Sequence, residues 1–252
     1  MNSTASAETW LRRLHPSPDA ATRLVCLPHA GGSASFYFPL SSALAGGTEV
    51  LAVQYPGRQE RLHEPAITDI NQLADHVTRV LVAEADRPLA LFGHSMGALV
   101  AFEVANRLEA LGITVMVLFT SGGRAPSSPH SRASIHTLTD QGLVAELTAA
   151  GGTDPELLSN PEILQVILPM VRSDYQAVET YRYRPRPKLR CSIVTLFGDK
   201  DSRVGPAEAQ AWAELTSGAH ELHIFPGGHF YLCEQQHAVA DLVRQHVERH
   251  RT

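Results

Sequence analysis

The chain has 252 residues, 44% of them hydrophobic and 19% charged, which suits a globular protein with a sizeable core and excludes a disordered or membrane-dominated chain. Its 26 acidic residues against 21 Lys and Arg leave a net charge of −5, which argues against a general nucleic-acid binder. Three widely spaced cysteines, Cys26, Cys191 and Cys233, contain no Cys-x-x-Cys pair, so neither a disulfide framework nor a zinc site is expected.

In chain order, residues 1–15 lack the basic-then-apolar pattern of a secretory signal. Residues 23–28 read as a strand, 30–32 as a Gly-rich turn and 35–44 as a helix. A second strand over 49–54 closes on Tyr55-Pro56-Gly57. Asp69 is placed to cap a helix whose apolar positions Ile70, Leu73, Ala74, Val77, Val80 and Leu81 keep helical spacing. A short buried strand over 89–92 precedes a helix over 96–108, which Gly112 ends. Strands at 114–119, 191–197 and 221–225 complete the set, with Cys26 and Cys191 on buried strands and Cys233 packed at a helix start. The longest strongly apolar run, 113–119, is far too short to cross a bilayer, so a soluble cytoplasmic protein is expected.

Continuous Val/Ile/Leu runs alternating with helices predict an α/β fold with a mostly parallel sheet covered on both faces, its ligand site at the carboxyl ends of the strands. A long segment without a clear strand interrupts this rhythm, with helical stretches at 141–149 and 161–181. It reads as a helical lid inserted over about 124–188 of a single domain spanning 1–252, against the alternative of a second small structural domain.

Gly93-His94-Ser95-Met96-Gly97 lies between the strand at 89–92 and the helix from Met96. That is the context in which a Gly-x-Ser-x-Gly turn exposes a nucleophilic serine. A serine hydroxyl needs a base and an orienting carboxylate, expected in the order Ser, Asp/Glu, His. Two carboxylates compete in the loop after strand 191–197. Asp201, fourth in the Gly198-Asp199-Lys200-Asp201 turn, occupies the place that usually points inward in this fold, whereas Asp199 is the more solvated. Of thirteen histidines, His229 alone combines a Gly-rich loop, the chain order and the end of the last strand. His94, inside the pentapeptide, reads as a packing or hydrogen-bonding residue. The oxyanion hole would use the backbone N–H groups of Met96 and Ala30, the latter in Pro28-His29-Ala30-Gly31-Gly32.

With these pieces in place, the sequence resembles the type II thioesterases, stand-alone α/β-hydrolases that accompany polyketide and nonribosomal peptide synthases. The resemblance rests on Pro28-His29-Ala30-Gly31-Gly32-Ser33-Ala34, Tyr55-Pro56-Gly57-Arg58, the Ser95 pentapeptide, Leu168-Pro169-Met170-Val171-Arg172-Ser173-Asp174, the Asp201 turn and Gly228-His229-Phe230. Asp201 and His229 follow Ser95 by 106 and 134 residues, separations similar to the family's. Met170-Val171 departs from a commoner Leu-Arg-like pattern, which bears on lid packing and acyl preference rather than on the chemistry.

The resemblance implies a Ser95–His229–Asp201 triad with Ala30 and Met96 as oxyanion donors. It implies hydrolysis of stalled or aberrant acyl groups from phosphopantetheine arms in antibiotic biosynthesis. The partners would be acyl carrier or peptidyl carrier protein domains. No metal is expected and no cofactor beyond the phosphopantetheine of the substrate, and the protein is expected to be a monomer acting without nucleic acid or membrane. A general carboxylesterase or lipase of the same fold, and a non-catalytic scaffold for carrier proteins, are the competing readings. Residues 182–190 hold five cations and no acid. They read as an exposed Arg/Pro connector, with docking of acidic carrier proteins as the alternative.

Overall fold

Runs of Val, Ile, Leu and Phe become strands whose two faces are both buried. The computed structural model describes residues 3–128, 134–152 and 155–250. Its strands are β1 (Leu11–Arg12), β2 (Arg23–Leu27), β3 (Glu49–Val53), β4 (Leu89–His94), β5 (Val115–Ser121), β6 (Ser192–Gly198) and β7 (His220–Phe225). They form one sheet in the order β1-β3-β2-β4-β5-β6-β7, parallel throughout except for the antiparallel pair β1–β3. The strands β2 to β5 are buried along their whole length, whereas β7 at the edge is only half-buried.

The helices are α1 (Ser3–Trp10), α2 (Phe38–Leu44), α3 (Ile70–Val82), α4 (Met96–Ala110), α5 (Asp140–Ala150), α6 (Pro155–Ser159), α7 (Pro161–Thr180), α8 (Pro206–Gln210), α9 (Tyr231–Glu234) and α10 (Gln236–Arg249). One face of the sheet packs Val25, Leu51 and Leu91 against Trp10 of α1, Val77 of α3 and Phe102 of α4. The other packs Leu24, Val50 and Phe92 against Leu44 of α2 and Val243 of α10. Asp69 caps α3 as expected, its carboxylate accepting from Gln72 N–H at 2.9 Å. The helix expected over 35–44 divides into a 3₁₀ turn at Ala34–Tyr37 and α2, where Pro39 suits the first turn of a new helix. Cys26 and Cys191 are buried as expected, whereas Cys233 is exposed.

The chain leaves β2 towards β3, then returns to the opposite side of β2 to form β4. Their carboxyl ends therefore flank the crevice where strand order reverses, the place such sheets bind ligands. Between β5 and β6 the chain departs into α5, α6 and α7, whose own small core is Leu143, Leu147, Leu158, Leu168 and Val171. The connector from α7 to β6 runs without regular structure. In it Arg186 Nη2 pairs with Glu103 of α4 at 2.7 Å, and Arg190 Nε lies 3.4 Å from Glu109. Two of its five cations thus neutralise carboxylates of α4, while Arg184 and Lys188 are exposed. No helix of the described residues is long and apolar enough to cross a membrane.

Among the described glycines, those with the least room for a side chain lie at the first turn of α4 and just before it. A Cβ at Gly97 would stand 2.0 Å from the Leu27 carbonyl oxygen of β2, and one at Gly93 would stand 2.1 Å from the Gly97 oxygen. Neither neighbour is a side chain that could swing away. Gly97→Ala is expected to cost about 3 kcal/mol or more, read as a lowered urea midpoint with unchanged m-value.

Candidate active site

The site is built where β4 ends. Ser95 follows it in a turn with φ 55° and ψ −116°, unusual for a side-chain-bearing residue, and α4 begins at Met96. Hydrogen bonds hold this conformation: Ser95 N–H donates to the Ser121 carbonyl at 2.8 Å, and Ala98 N–H donates to the Ser95 carbonyl at 3.0 Å. The strand β5 runs two residues beyond its expected end, and that extension supplies Ser121.

The loops after β6 and β7 bring the base and its carboxylate. His229 Nε2 lies 3.0 Å from Ser95 Oγ, and His229 Nδ1 lies 2.9 Å from Asp201 Oδ2. An ionised Asp201 accepts the Nδ1 proton, which assigns the tautomer that turns the Nε2 lone pair towards the serine hydroxyl. The other Asp201 oxygen accepts from the N–H groups of Arg203 at 2.8 Å and Val204 at 3.3 Å, and its side chain is fully buried. Asp199 does different work. It is exposed, and its carboxylate accepts from Gly227 N–H at 2.9 Å, tying the His229 loop to the Asp201 loop.

His94 is buried and engages Ser121 rather than Ser95, with Nδ1 3.0 Å from Ser121 Oγ, which lies 2.7 Å from Tyr231 Oη. His29 packs edge-on to Phe36 and Phe230, and the His94 ring centroid is 5.2 Å from that of His229. Burial above all, then His229 and Arg58, hold the His29 imidazole down to about 3. His94 is held well below the ordinary histidine range by burial, with His229 and His29 adding to the effect. Both rings are therefore neutral at pH 7, an uncharged wall beside His229. The sequence pattern marks neither His29 nor Phe230 as part of this wall; no local periodicity signals contacts between residues two hundred positions apart.

Met96 and Ala30, the two expected oxyanion donors, both line the cavity at Ser95. Met96 opens α4, where a backbone N–H has no acceptor within the helix. The cavity encloses about 890 Å³ between the carboxyl edge of the sheet and α5 to α7. Its apolar wall includes Leu99, Leu147, Ile167, Met170 and Val178. Its charged groups have partners: Arg203 Nη2 meets Glu146 at 2.5 Å, Arg124 Nη2 meets Glu208 at 2.8 Å, and Glu179 accepts from the N–H groups of Ile135 and His136 at 2.6 and 3.2 Å. Among the described residues, the group whose ligand atoms approach closely enough for a cation is Glu221, His223 and His246. None of these lines the cavity, and Glu221 already pairs with Arg249 at 2.7 Å.

The chain resembles known proteins along most of its length. Residues 22–247 match the family model described as the thioesterase domain. The chain is 45% identical over 240 residues to a probable cadicidin biosynthesis thioesterase of Streptomyces griseus, covering 95% of this chain but 66% of that protein, slightly under two thirds. It is 46% identical over 242 residues to the thioesterase PikA5 of Streptomyces venezuelae, covering 94% of this chain and 85% of the relative. The solved structure of the type II thioesterase BorB from the borrelidin biosynthetic cluster superposes with a TM-score of 0.89 at 47% identity, over 94% of this chain and 97% of that one. The α/β-hydrolase-like architecture is common to both chains.

The neutral His29 ring makes stability depend on pH. Its folded pKa lies below the unfolded value, so the unfolded chain binds more protons in between, and stability falls as pH drops from about 6.5 towards 3. The slope from this group approaches about 1.4 kcal/mol per pH unit within that window. Urea unfolding at pH 7, 6 and 5 should show His29→Phe with a shallower dependence than the parent protein.

Proposed function

The chain belongs to the thioesterase domain family, and on that premise we propose that it hydrolyses acyl thioesters held on the phosphopantetheine arms of carrier proteins. In this reading it clears stalled or aberrant acyl groups from polyketide or nonribosomal peptide assembly. The observation that carries the reading is the continuous chain from Ser95 Oγ through His229 to buried Asp201, set at the base of a cavity roofed by the helical insertion. Relatives named for cadicidin and borrelidin biosynthesis support this setting.

His229 Nε2 takes the hydroxyl proton as Ser95 Oγ attacks the thioester carbonyl carbon, and Asp201 stabilises the imidazolium that forms. The carbonyl oxygen becomes an oxyanion, which the N–H groups of Ala30 and Met96 receive. Collapse breaks the C–S bond, and the imidazolium returns its proton to the departing thiolate to leave the free carrier thiol. Water, deprotonated by His229, then attacks the acyl-enzyme and releases the carboxylic acid with Ser95 restored. The neutral rings of His94 and Phe230, with His29 behind them, pack beside the buried His229 imidazole, where the Asp201 carboxylate acts more strongly than it would in bulk water. The acyl chain lies along the apolar wall of α5 to α7, and the arm reaches Ser95 from outside. The chemistry calls for no cofactor or metal of the protein's own, and it proceeds in a single copy of the chain.

A hydrolysis panel over acyl-carrier proteins, acyl-coenzyme A and a simple oxygen ester tests this. Acyl-carrier substrates should be turned over with the highest kcat/KM, and Ser95→Ala should lower kcat by about 10³-fold or more on all of them. Preference for the oxygen ester would overturn the carrier reading, and an undiminished Ser95→Ala would overturn the acyl-enzyme.

The two carboxylates of the β6 loop separate cleanly in kinetics. Asp201→Asn should lower kcat by about 10⁴-fold by favouring the wrong His229 tautomer. Asp199→Asn, which retains a side-chain oxygen for Gly227 N–H, should stay within about tenfold of the parent.

A further inference from the structure

The Ser95 chemistry leaves two sequence motifs unused, the Tyr55-Pro56-Gly57-Arg58 turn and residues 168–174 of α7. They meet at one carboxylate. Asp174 Oδ1 and Oδ2 lie 2.8 and 2.9 Å from Arg58 Nη2, in a pair whose side chains are 3% and 2% exposed. Asp174 Oδ2 also accepts a 2.7 Å hydrogen bond from Gly31 N–H, directly after Ala30. Gly31 has φ +79°, and a Cβ there would lie 2.9 Å from Cγ2 of Val171, one turn before Asp174. Thus α7 grips one loop residue twice, by a charged acceptor and by direct packing.

We infer that Asp174 is a positioning residue for the oxyanion loop: by holding Gly31 N–H it restricts rotation about the backbone of Ala30 and aims the Ala30 N–H at the carbonyl attacked by Ser95. This rests on the acyl-enzyme reading above, with Ala30 as a donor. A carboxylate suits this role because a charged acceptor holds an N–H more firmly than a neutral one. Arg58 favours the carboxylate form: burial raises the Asp174 carboxyl above the ordinary carboxylate range, and the guanidinium and the Gly31 N–H oppose that rise. Since Asp174 belongs to the insertion, the donor is aimed only while α7 is seated on the loop. Arg58 therefore acts at second hand, by fixing Asp174.

A matched pair of uncharged double variants isolates the acceptor. Arg58→Met with Asp174→Asn removes both charges yet keeps a side-chain carbonyl for Gly31 N–H, whereas Arg58→Met with Asp174→Leu removes the acceptor too. Replacing a buried ion pair by uncharged groups of similar volume is commonly tolerated. The readouts are Tm, kcat and KM on a small acyl N-acetylcysteamine thioester, and the affinity of a trifluoromethyl ketone whose Ser95 adduct carries an oxyanion. The Asn variant should keep kcat within about fivefold of the parent. The Leu variant should lose about 30- to 100-fold in kcat and a similar factor in ketone affinity, with KM moved less than about threefold. Should the Leu variant not fold, Asp174→Ala with Arg58→Met takes its place as the acceptor-free member.

Equal kcat in the two doubles, or losses that merely follow Tm, would overturn the role of Asp174. Parallel measurement of Ser95→Ala distinguishes this from failure of the acyl-enzyme reading. A dead Ser95→Ala with equal doubles sinks only the positioning role, whereas an active one sinks the reading beneath it.

Discussion

The site depends on a backbone conformation that serine does not adopt by preference. Ser95 at φ 55° and ψ −116° carries strain of about 1–3 kcal/mol, tolerable only where the surroundings over-determine it. Here β4 delivers the chain from a fully buried strand, and α4 leads it away against the end of β2, so closely that Gly93 and Gly97 have no room for a Cβ. That crowding sets Ser95 at the sheet's carboxyl edge and leaves the Met96 N–H at the start of a helix. The same edge receives the loops after β2, β6 and β7, because parallel strands in register end together. The geometry of Ser95, His229 and Asp201 is thus a consequence of sheet packing.

The insertion adds a different kind of constraint. Its own core is five buried aliphatic residues, a small cluster, and its attachment to the body adds buried polar contacts to the packing of Ala177 and Tyr181 in the main core. Asp174 joins α7 to Arg58 and Gly31. Glu103 of α4, fully buried, receives Tyr181 Oη at 2.7 Å and Arg186 Nη2 at 2.7 Å near the end of α7. Within the insertion, Glu179 of α7 holds the N–H groups of Ile135 and His136. Removing one partner of such a buried pair costs about 3–5 kcal/mol, whereas losing a surface pair costs little, so these contacts specify where the roof sits. A roof placed this way leaves a largely apolar cavity whose charged groups have partners, a surround in which an N–H donor or a carboxylate acts strongly.

Much of this is legible along the chain. Strands β2 to β6 are visible because strands buried on both faces read as apolar runs, whereas the half-buried edge strand β7 shows only Leu222, Ile224 and Phe225 among polar residues. Strand β1, two residues long, has no such signal, since its existence depends on pairing with β3. Strand β5 reads short by Thr120 and Ser121, where the apolar run stops while pairing with β4 and β6 continues. Ser95 and His229 stand out through motif and chain order. In sequence, the choice between Asp199 and Asp201 rests on analogy, and the structure separates them by contact: one carboxylate receives a loop amide, the other receives His229. Residues 182–190 look like a basic stripe, yet Arg186 and Arg190 face carboxylates on α4 about eighty positions earlier.

By itself, the sequence determined the α/β layering, the strand-turn-helix setting of Ser95 and the order in which its partners follow. These are encoded locally, in runs of apolar residues and in glycines that no other residue can replace. Only the tertiary structure decided which carboxylate serves His229, that His29 and His94 are neutral wall residues, and that Arg58, Asp174 and Gly31 form one junction. Those outcomes depend on distances between segments up to two hundred residues apart, and on burial, which sets how strongly each charge and each N–H is felt.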